Sequence, residues 1–515
     1  MIKDIIDSLC IPGILHPSGI KKVIETHISY VLLDGYHAYK IKKPVDLGFV
    51  NFTSLEKRKF YCGEEIRLNK RLAADLYIGV ITITGPAKKP EINGKGRILE
   101  YAVKMKQFPR ESELSRLIDS STDLTEPFHQ FCIKLAAFHT VVEVADQKSG
   151  FSNGESISSR NIQNFKSIDM DLLTPEETEA LTHLKQWTLT SLQNNNDIFN
   201  KRIEGGRIRE CHGDLHLGNL VYIDTEIIAF DCLEFNEQLR WIDIASELAF
   251  LVMDLFARNK PDLARRCLDW YLEESGDYDL VPLFQHYLVY RAMVRAKVCF
   301  LTRRPGESLE NRKQFQHYLE LATRFSSPKN KPKLIITHGF SGSGKTWITD
   351  QIIAQSDCIR LRSDIIRKQL HGIGIRDSSQ SKTKKNIYSK NADARTYTYL
   401  EKAARKILSA GYPVIVDATF LSKQKRHTFK SLAESMNVDF NILDLQADPE
   451  VLNKRIRKRQ KLGKDASEAG IAVLKKQLAS ADPLDQFERQ NSIVLNSGKD
   501  PIDISFITNQ LALEF

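Results

Sequence analysis

Residues 334–346 read LIITHGFSGSGKT. A run of apolar, β-branched residues leads straight into G-x-x-x-x-G-K-[ST], the pattern of a strand ending in a phosphate-binding loop. Gly339, Phe340, Ser341, Gly342, Ser343 and Gly344 offer backbone N–H groups to a β-phosphate, and the three glycines keep Cβ atoms out of the cradle. Lys345 reaches the β- and γ-phosphates, and the Thr346 hydroxyl can hold Mg²⁺ at the start of the helix predicted over WITDQIIAQ, residues 347–355. The expected ligand is a nucleoside triphosphate, ATP, with Mg²⁺.

Downstream of this loop, Val/Ile-rich segments alternate with helical ones: IRLRSDIIRKQL (359–370), PVIVDATF (413–420) and FNILDLQAD (440–448). That alternation predicts an α/β unit with a parallel, doubly wound sheet. Asp364 and Asp417 close two of its strands, at the ends that face the nucleotide crevice. Two carboxylates there divide into a general base for an acceptor hydroxyl, assigned to Asp364, and a Mg²⁺ ligand, assigned to Asp417. Arg362, beside them, is a candidate clamp for the acceptor. In VLNKRIRKRQKLGKDASEA (451–469), Arg455 and Arg459 lie one helical turn apart. Arginines in such a position can neutralise charge on a transferring phosphoryl group.

The loop begins about two-thirds of the way along a 515-residue chain, 42% of which is hydrophobic. That length suggests about three domain-sized units. The N-terminal MIKDIIDSLCIPG lacks the apolar run of a signal peptide, and no segment approaches the length of a membrane span. Eight cysteines stand singly with no C-x-x-C pair, as reduced thiols do. The expectation is a soluble, cytoplasmic protein with no membrane partner. Residues 331–515 hold 31 Lys and Arg against 20 Asp and Glu, a net of +11 within a whole-chain net of +9. A basic unit of this kind suits a phosphate-rich substrate, with nucleic acid as one candidate partner. The break falls in SSPKNKPK, residues 326–333, which reads as a linker.

The first half carries chemistry of its own. Residues 212–219 read HGDLHLGN, and twelve residues later IIAFD ends in Asp231. Asp-x-x-x-x-Asn, followed by a strand ending in a second Asp, is the spacing of a kinase catalytic loop and its metal-binding aspartate. Asp214 would accept the proton of the attacking hydroxyl, while Asn219 and Asp231 would coordinate Mg²⁺.

H-G-D-x-H-x-x-N resembles the signature of the aminoglycoside phosphotransferase and choline kinase superfamily over most of residues 20–325. The resemblance implies a bilobal, α+β, protein-kinase-like domain at 1–325, with an N-lobe over about 1–110 and a C-lobe over about 111–325. YVLLDGYHAYKIKK (30–43) alternates like a hairpin, and its A-Y-K matches the kinase A-x-K strand. Lys40 is thus implied as the α/β-phosphate lysine, with Lys42 the alternative. In the helical LEKRKFYCGEEIRLNKRLA, Glu65 is the implied ion-pair partner and Glu64 the second choice. LEYAVKMKQF resembles the hinge strand that receives adenine, near Met105. No G-x-G-x-x-G loop precedes Lys40, a feature this superfamily often lacks. Glu234 is a third carboxylate at or just behind the metal, or else a surface or salt-bridged residue; Asp243 is a cap for the helix beginning at Ile244, and His212 a packing and hydrogen-bonding residue.

Residues 334–515 resemble the P-loop kinase branch of gluconate and shikimate kinases, zeta toxins, chloramphenicol phosphotransferase and polynucleotide 5′-kinases. GFSGSGKT, RSD, VIVDATF and the arginine run carry that resemblance. The whole chain resembles a bacterial fusion of the two kinase types. The implied function is an ATP-dependent phosphotransferase with two ATP sites, acting on an alcohol group of a small-molecule acceptor. The alternative is a regulatory ATPase or a nucleic-acid-end enzyme. Aminoglycoside resistance ranks below both, because a polycationic acceptor needs an acidic cleft and no carboxylate-rich tail closes the first half.

Overall fold

The structure, a computed structural model, describes every residue except 1, 49, 147–149, 152–153, 303–307, 329–330, 378–386, 388, 463–466, 498–501 and 514–515. Part of the predicted linker, residues 329–330, therefore lies outside the described residues. The chain packs as two compact units. One comprises Met1–Ile168 with Asn196–Asp254, the other Asp169–Asn195 with Leu255–Phe515. No described helix is long and apolar enough to cross a membrane.

The first unit has an α+β fold. Its strands β1 (Lys22–Glu25), β2 (Ser29–Leu33), β3 (His37–Lys42), β4 (Tyr77–Thr84), β5 (Glu91–Ile92) and β6 (Ile98–Lys106) form an antiparallel sheet in the order β1-β2-β3-β6-β4-β5. The β2–β3 hairpin turns at Asp34-Gly35. Gly35 has φ +103°, open to glycine, and the Asp34 carboxylate accepts the N–H groups of Tyr36 and His37 at 2.7 and 2.6 Å. The helix Leu55–Ala73 starts under a Ser54 cap, whose hydroxyl accepts from Lys57 N–H. It packs on β4 and β6 through Cys62, Tyr77, Tyr101 and Val103, which places Glu65 beneath β3. Two small ribbons follow: β7 (Ile208–Glu210) with β10 (Trp241–Asp243), and β8 (Leu220–Ile223) with β9 (Glu226–Ala229).

The second unit holds the α/β, doubly wound P-loop fold. Strands β11 (Lys333–His338), β12 (Ile359–Arg362), β13 (Val414–Asp417), β14 (Asp439–Gln446) and β15 (Ser492–Asn496) run parallel in the order β12-β13-β11-β14-β15. The sheet is covered on both faces, so its central strands read as continuous apolar runs. Ile335 packs on Ile348 and Ile352 of the helix Lys345–Gln355, and helices Lys390–Ser409 and Lys423–Ser435 contact β11 and its neighbours. The central position of β11 puts the P-loop between two strand ends, Asp417 on one side and Gln446 on the other.

Candidate active sites

In the first unit, alternation along β3 sends Lys40 and Lys42 to one face, where both meet Glu65. Lys40 Nζ lies 2.9 Å from Glu65 Oε1 and 2.5 Å from Asp231 Oδ1. Lys42 Nζ lies 2.7 Å from Glu65 Oε2 and donates a further short hydrogen bond to Glu234. The five residues form one ionic chain, Asp231–Lys40–Glu65–Lys42–Glu234. Only Asp231 has substantial access to solvent, with 43% of its side chain exposed. Burial opposes the Lys40 charge, but Asp231 and Glu65 hold it firmly protonated. Glu64 points elsewhere and pairs with Arg67. Met105 stands opposite Ala38 on β6.

The loop 212–219 and the end of β9 bring Asp214, Asn219 and Asp231 to the same end of the unit. Asn219 Nδ2 donates to Asp214 Oδ2 at 2.9 Å and to its carbonyl at 3.0 Å. His216 Nδ1 accepts from Gly218 N–H at 3.1 Å, so its proton belongs on Nε2, which faces Asp214 Oδ2 at 3.4 Å. Asp231 adopts φ +60°, a left-handed backbone that Asp tolerates better than most residues, and its N–H donates to Tyr77 Oη. The donor set fits Mg²⁺: one exposed carboxylate and one amide oxygen beside a lysine, all hard oxygen ligands. His212 is buried and donates from Nε2 to Phe230 O at 2.8 Å. Burial keeps it neutral against the pull of Glu247 and Asp214.

Two carboxylates invisible to motif reading hold this loop. Glu247 accepts the N–H groups of His212 and Gly213 at 2.9 and 2.8 Å, and His139 Nε2 lies 3.4 Å away. Asp254 accepts from Leu217 N–H at 2.9 Å. Asp243 caps its helix by accepting from Ala245 N–H and is held by Nε and Nη2 of Arg202 at 2.6 and 2.7 Å. Burial alone would raise the Glu247 carboxyl, but the hydrogen bonds from His139, the His212 N–H and the Gly213 N–H hold it at about 2. Because the folded value lies below the unfolded one, this carboxylate stabilises the fold above about pH 4.5, and the contribution fades as pH falls toward 2. Glu247→Gln is expected to cost on the order of 3 kcal/mol near neutrality, with the gap from the parent closing in acid. Urea unfolding of both proteins at several pH values measures it; a pH-independent gap would contradict the assignment.

In the second unit the three loop glycines all have positive φ: +144° at Gly339, +85° at Gly342 and +94° at Gly344. A Cβ on Gly339 would meet Leu445 O at 2.6 Å and Ser343 Oγ at 2.8 Å, so the cradle admits no side chain there. Lys345 Nζ folds across the loop onto Gly339 O (3.0 Å) and Phe340 O (2.8 Å). Burial pushes its ammonium down to about 8, against the opposing charges of Asp417 and Asp364 and with that of Arg459. Thr346 Oγ1 donates to Asp417 Oδ2 at 2.9 Å, and Thr349 Oγ1 lies 3.4 Å from the same oxygen. A hydroxyl beside a carboxylate at the helix start is the pair a Mg²⁺ ion needs, so these residues fit the metal.

Asp364 sits in the first turn of the helix Ser363–Leu370, a third of its side chain exposed, with Arg367 at 3.7 Å. Arg362, the candidate acceptor clamp, is held at 3.1 Å by Glu273, and its Nε lies 4.0 Å from Asp417. Arg455 and Arg459 lie on the helix Pro449–Leu462. Arg455 donates to Gly342 O (3.3 Å), to Ser497 Oγ (2.9 Å) and to Ser497 O. Arg459 donates to Ala469 O at 2.6 Å. Part of the following D-A-S-E-A segment lies outside the described residues.

Residues 334–484 match the family described as AAA domain. An uncharacterised protein of Mycobacterium tuberculosis is 26% identical over 462 residues, spanning 89% of this chain and 90% of its own. One of Mycobacterium bovis matches to the same extent. Among solved structures, an ethanolamine kinase of Plasmodium vivax aligns with TM-score 0.37 and 10% identity over 60% of this chain and 82% of its own. An ADP-bound aminoglycoside phosphotransferase aligns with TM-score 0.35 and 13% identity over 60% and 95%. A sugar kinase of Janibacter sp. aligns with TM-score 0.28 and 20% identity over 35% and 95%. The chain thus carries an α+β unit built on an antiparallel sheet and an α/β unit whose P-loop segment matches the AAA domain family.

Proposed function

We propose that the protein is an ATP-dependent phosphotransferase with two nucleotide sites, moving the γ-phosphate of ATP to a hydroxyl of a small molecule. The observation that carries this reading is the Asp231–Lys40–Glu65 chain set beside the Asp214–Asn219 pair, because phosphoryl transfer needs a cation, a metal carboxylate and a base within one cleft. In the first unit, Lys40 orients the α- and β-phosphates and Asp214 takes the proton of the attacking hydroxyl. His216, through its Nε2–H, keeps the Asp214 carboxylate aimed. In the second unit, the loop amides and Lys345 bind the phosphates, and Asp364 serves as base for the acceptor. Asn219 and Asp231 in one unit, and Thr346 with Asp417 in the other, would hold Mg²⁺, which would supply charge neutralisation for the triphosphate.

A second reading is favoured by the +11 net charge of residues 331–515: the P-loop unit phosphorylates the 5′-hydroxyl of a nucleic acid. Both are tested by offering labelled ATP and the purified chain a metabolite extract and, separately, a 5′-hydroxyl oligonucleotide. Label should move to a small metabolite, and Asp214→Asn and Asp364→Asn should each cut the transfer made by its own unit by orders of magnitude. Label on the oligonucleotide would favour the second reading. Hydrolysis alone in both arms would contradict acceptor phosphorylation.

A further inference from the structure

Strand β12 is an edge of the parallel sheet, and its Arg360 is 3% exposed. A guanidinium buried that far must be paired and its five N–H groups satisfied, or the fold loses heavily. None of its carboxylate partners belongs to the sheet. Nη2 lies 2.5 Å from Asp269 Oδ2 and 3.1 Å from Glu273 Oε1, and Nε lies 3.3 Å from Asp269 Oδ1. Both acids belong to the helix Pro261–Ser275, some 90 residues earlier in the chain, while a third, Asp350 Oδ1 of the P-loop helix, lies farther off at 3.7 Å from Nη2. They stand at i and i+4, a like-charge pair that weakens an isolated helix unless a cation lies between them. The same helix reaches the P-loop helix directly, through Arg266 Nη1 to Asp350 Oδ2 at 2.5 Å.

The other arm of Arg360 points at the nucleotide site. Nη1 donates to Thr346 O at 3.3 Å and to Thr349 Oγ1 at 3.2 Å. Donation into the Thr349 oxygen turns that hydroxyl's own proton away from Arg360, toward Thr346 O (3.2 Å) or Asp417 Oδ2 (3.4 Å). A parallel route runs from Glu273 Oε2 to Arg362 Nη1 (3.1 Å), with Arg362 Nε 4.0 Å from the same Asp417 oxygen. Two chains of polar contacts thus start on one helix and converge on one carboxylate. The guanidinium is planar and rigid, so fixing its Nε/Nη2 side on Asp269 also fixes where Nη1 can donate.

We propose that the helix Pro261–Ser275 is a positioning element of the P-loop metal site, with Asp269 and Glu273 acting through Arg360 and Arg362 on Thr346, Thr349 and Asp417. The proposal rests on the reading of that unit as a Mg²⁺–nucleotide site. It makes a segment that precedes the P-loop by some 70 residues a working part of that site, so the metal affinity of the P-loop depends on residues outside its motifs.

The test is a Mg²⁺ titration of the full-length chain with ATP in an Asp231→Ala background, which confines metal loading to the P-loop unit. Calorimetry and Mn²⁺ EPR read the metal, and ADP binding in EDTA reads the nucleotide alone. Asp269→Asn should raise the half-saturating metal concentration roughly ten- to a hundredfold, as loss of a group supporting metal ligands does. Metal-free ADP affinity should stay at the parent's value, and Asp269→Glu, which keeps the charge, should recover most of the metal affinity. Should Asp269→Asn fail to fold, Glu273→Gln, which leaves the Asp269–Arg360 pair in place, is read the same way. A parallel fall of metal-bound and metal-free affinity, with Asp269→Glu no better than Asn, would overturn the proposal in favour of a purely supporting helix. An unchanged metal affinity would overturn it too. Lys345→Ala separates the premise: if it binds Mg²⁺–ATP as the parent does, the P-loop reading itself has failed.

Discussion

Asp214→Asn is expected to keep ATP binding in the first unit while phosphoryl transfer there falls by about two to four orders of magnitude. The substitution removes the base and spares the groups that hold the nucleotide. Asp214 Oδ2 accepts from Asn219 and faces His216, whereas Lys40, the proposed phosphate lysine, is fixed by Asp231 and Glu65. An asparagine fills the same space and still accepts one hydrogen bond, so loop geometry survives. Asp231→Asn behaves differently, because it weakens the metal carboxylate and frees Lys40 from one of its two partners, so Mg²⁺–ATP affinity itself should drop. Both variants are measured with labelled ATP in a Lys345→Ala background, binding by calorimetry and transfer by single turnover. Equal loss of binding in the two would contradict this division of roles.

Much of the geometry around both candidate sites was legible in the sequence because its requirements are local. A loop whose Gly339 Cβ would strike Leu445 O can be built only with glycine, so the spacing of residues 339–346 is enough to announce the cradle. Asp417 could be placed beside Thr346 because a strand of the VIVD type ends at the crevice of a doubly wound sheet, and the two are 2.9 Å apart. Alternation along β3 put Lys40 and Lys42 on one face but could not say that both share Glu65, since that depends on how the helix Leu55–Ala73 lies on the sheet.

What the sequence did not reveal is tertiary. Glu247 lies in an apolar helical run, where it reads as a stray acid; only the fold brings it under His212 and Gly213. A buried carboxylate in the middle of ASELAFL was the available signal, since a lone acid among apolar residues must find donors. The fifth strand, β15, is a short edge segment with mixed burial and no clean alternation. Arg360 gave no hint of its role, because its partners Asp269 and Glu273 come from a distant helix of the chain. Arg455 illustrates the converse: its spacing from Arg459 is that of a phosphate-facing pair, yet the fold ties its guanidinium to Gly342 O and Ser497.

The central claim is that one chain carries two independent nucleotide sites, and binding stoichiometry tests it most directly. In the second unit, Lys345 spans the loop by bonding to Gly339 O and Phe340 O, and ATP phosphates would replace those carbonyls as its acceptors. Alanine at this position removes the one side-chain cation on the loop and leaves the first unit untouched. Lys40→Ala does the reverse, removing the residue that bridges Glu65 and Asp231. Calorimetric titration of the full-length chain with ATP and Mg²⁺ should give two equivalents for the parent and one for each single variant. The double variant should give none. A parent stoichiometry of one, unchanged by Lys40→Ala, would contradict the account and leave the kinase-like unit without a nucleotide.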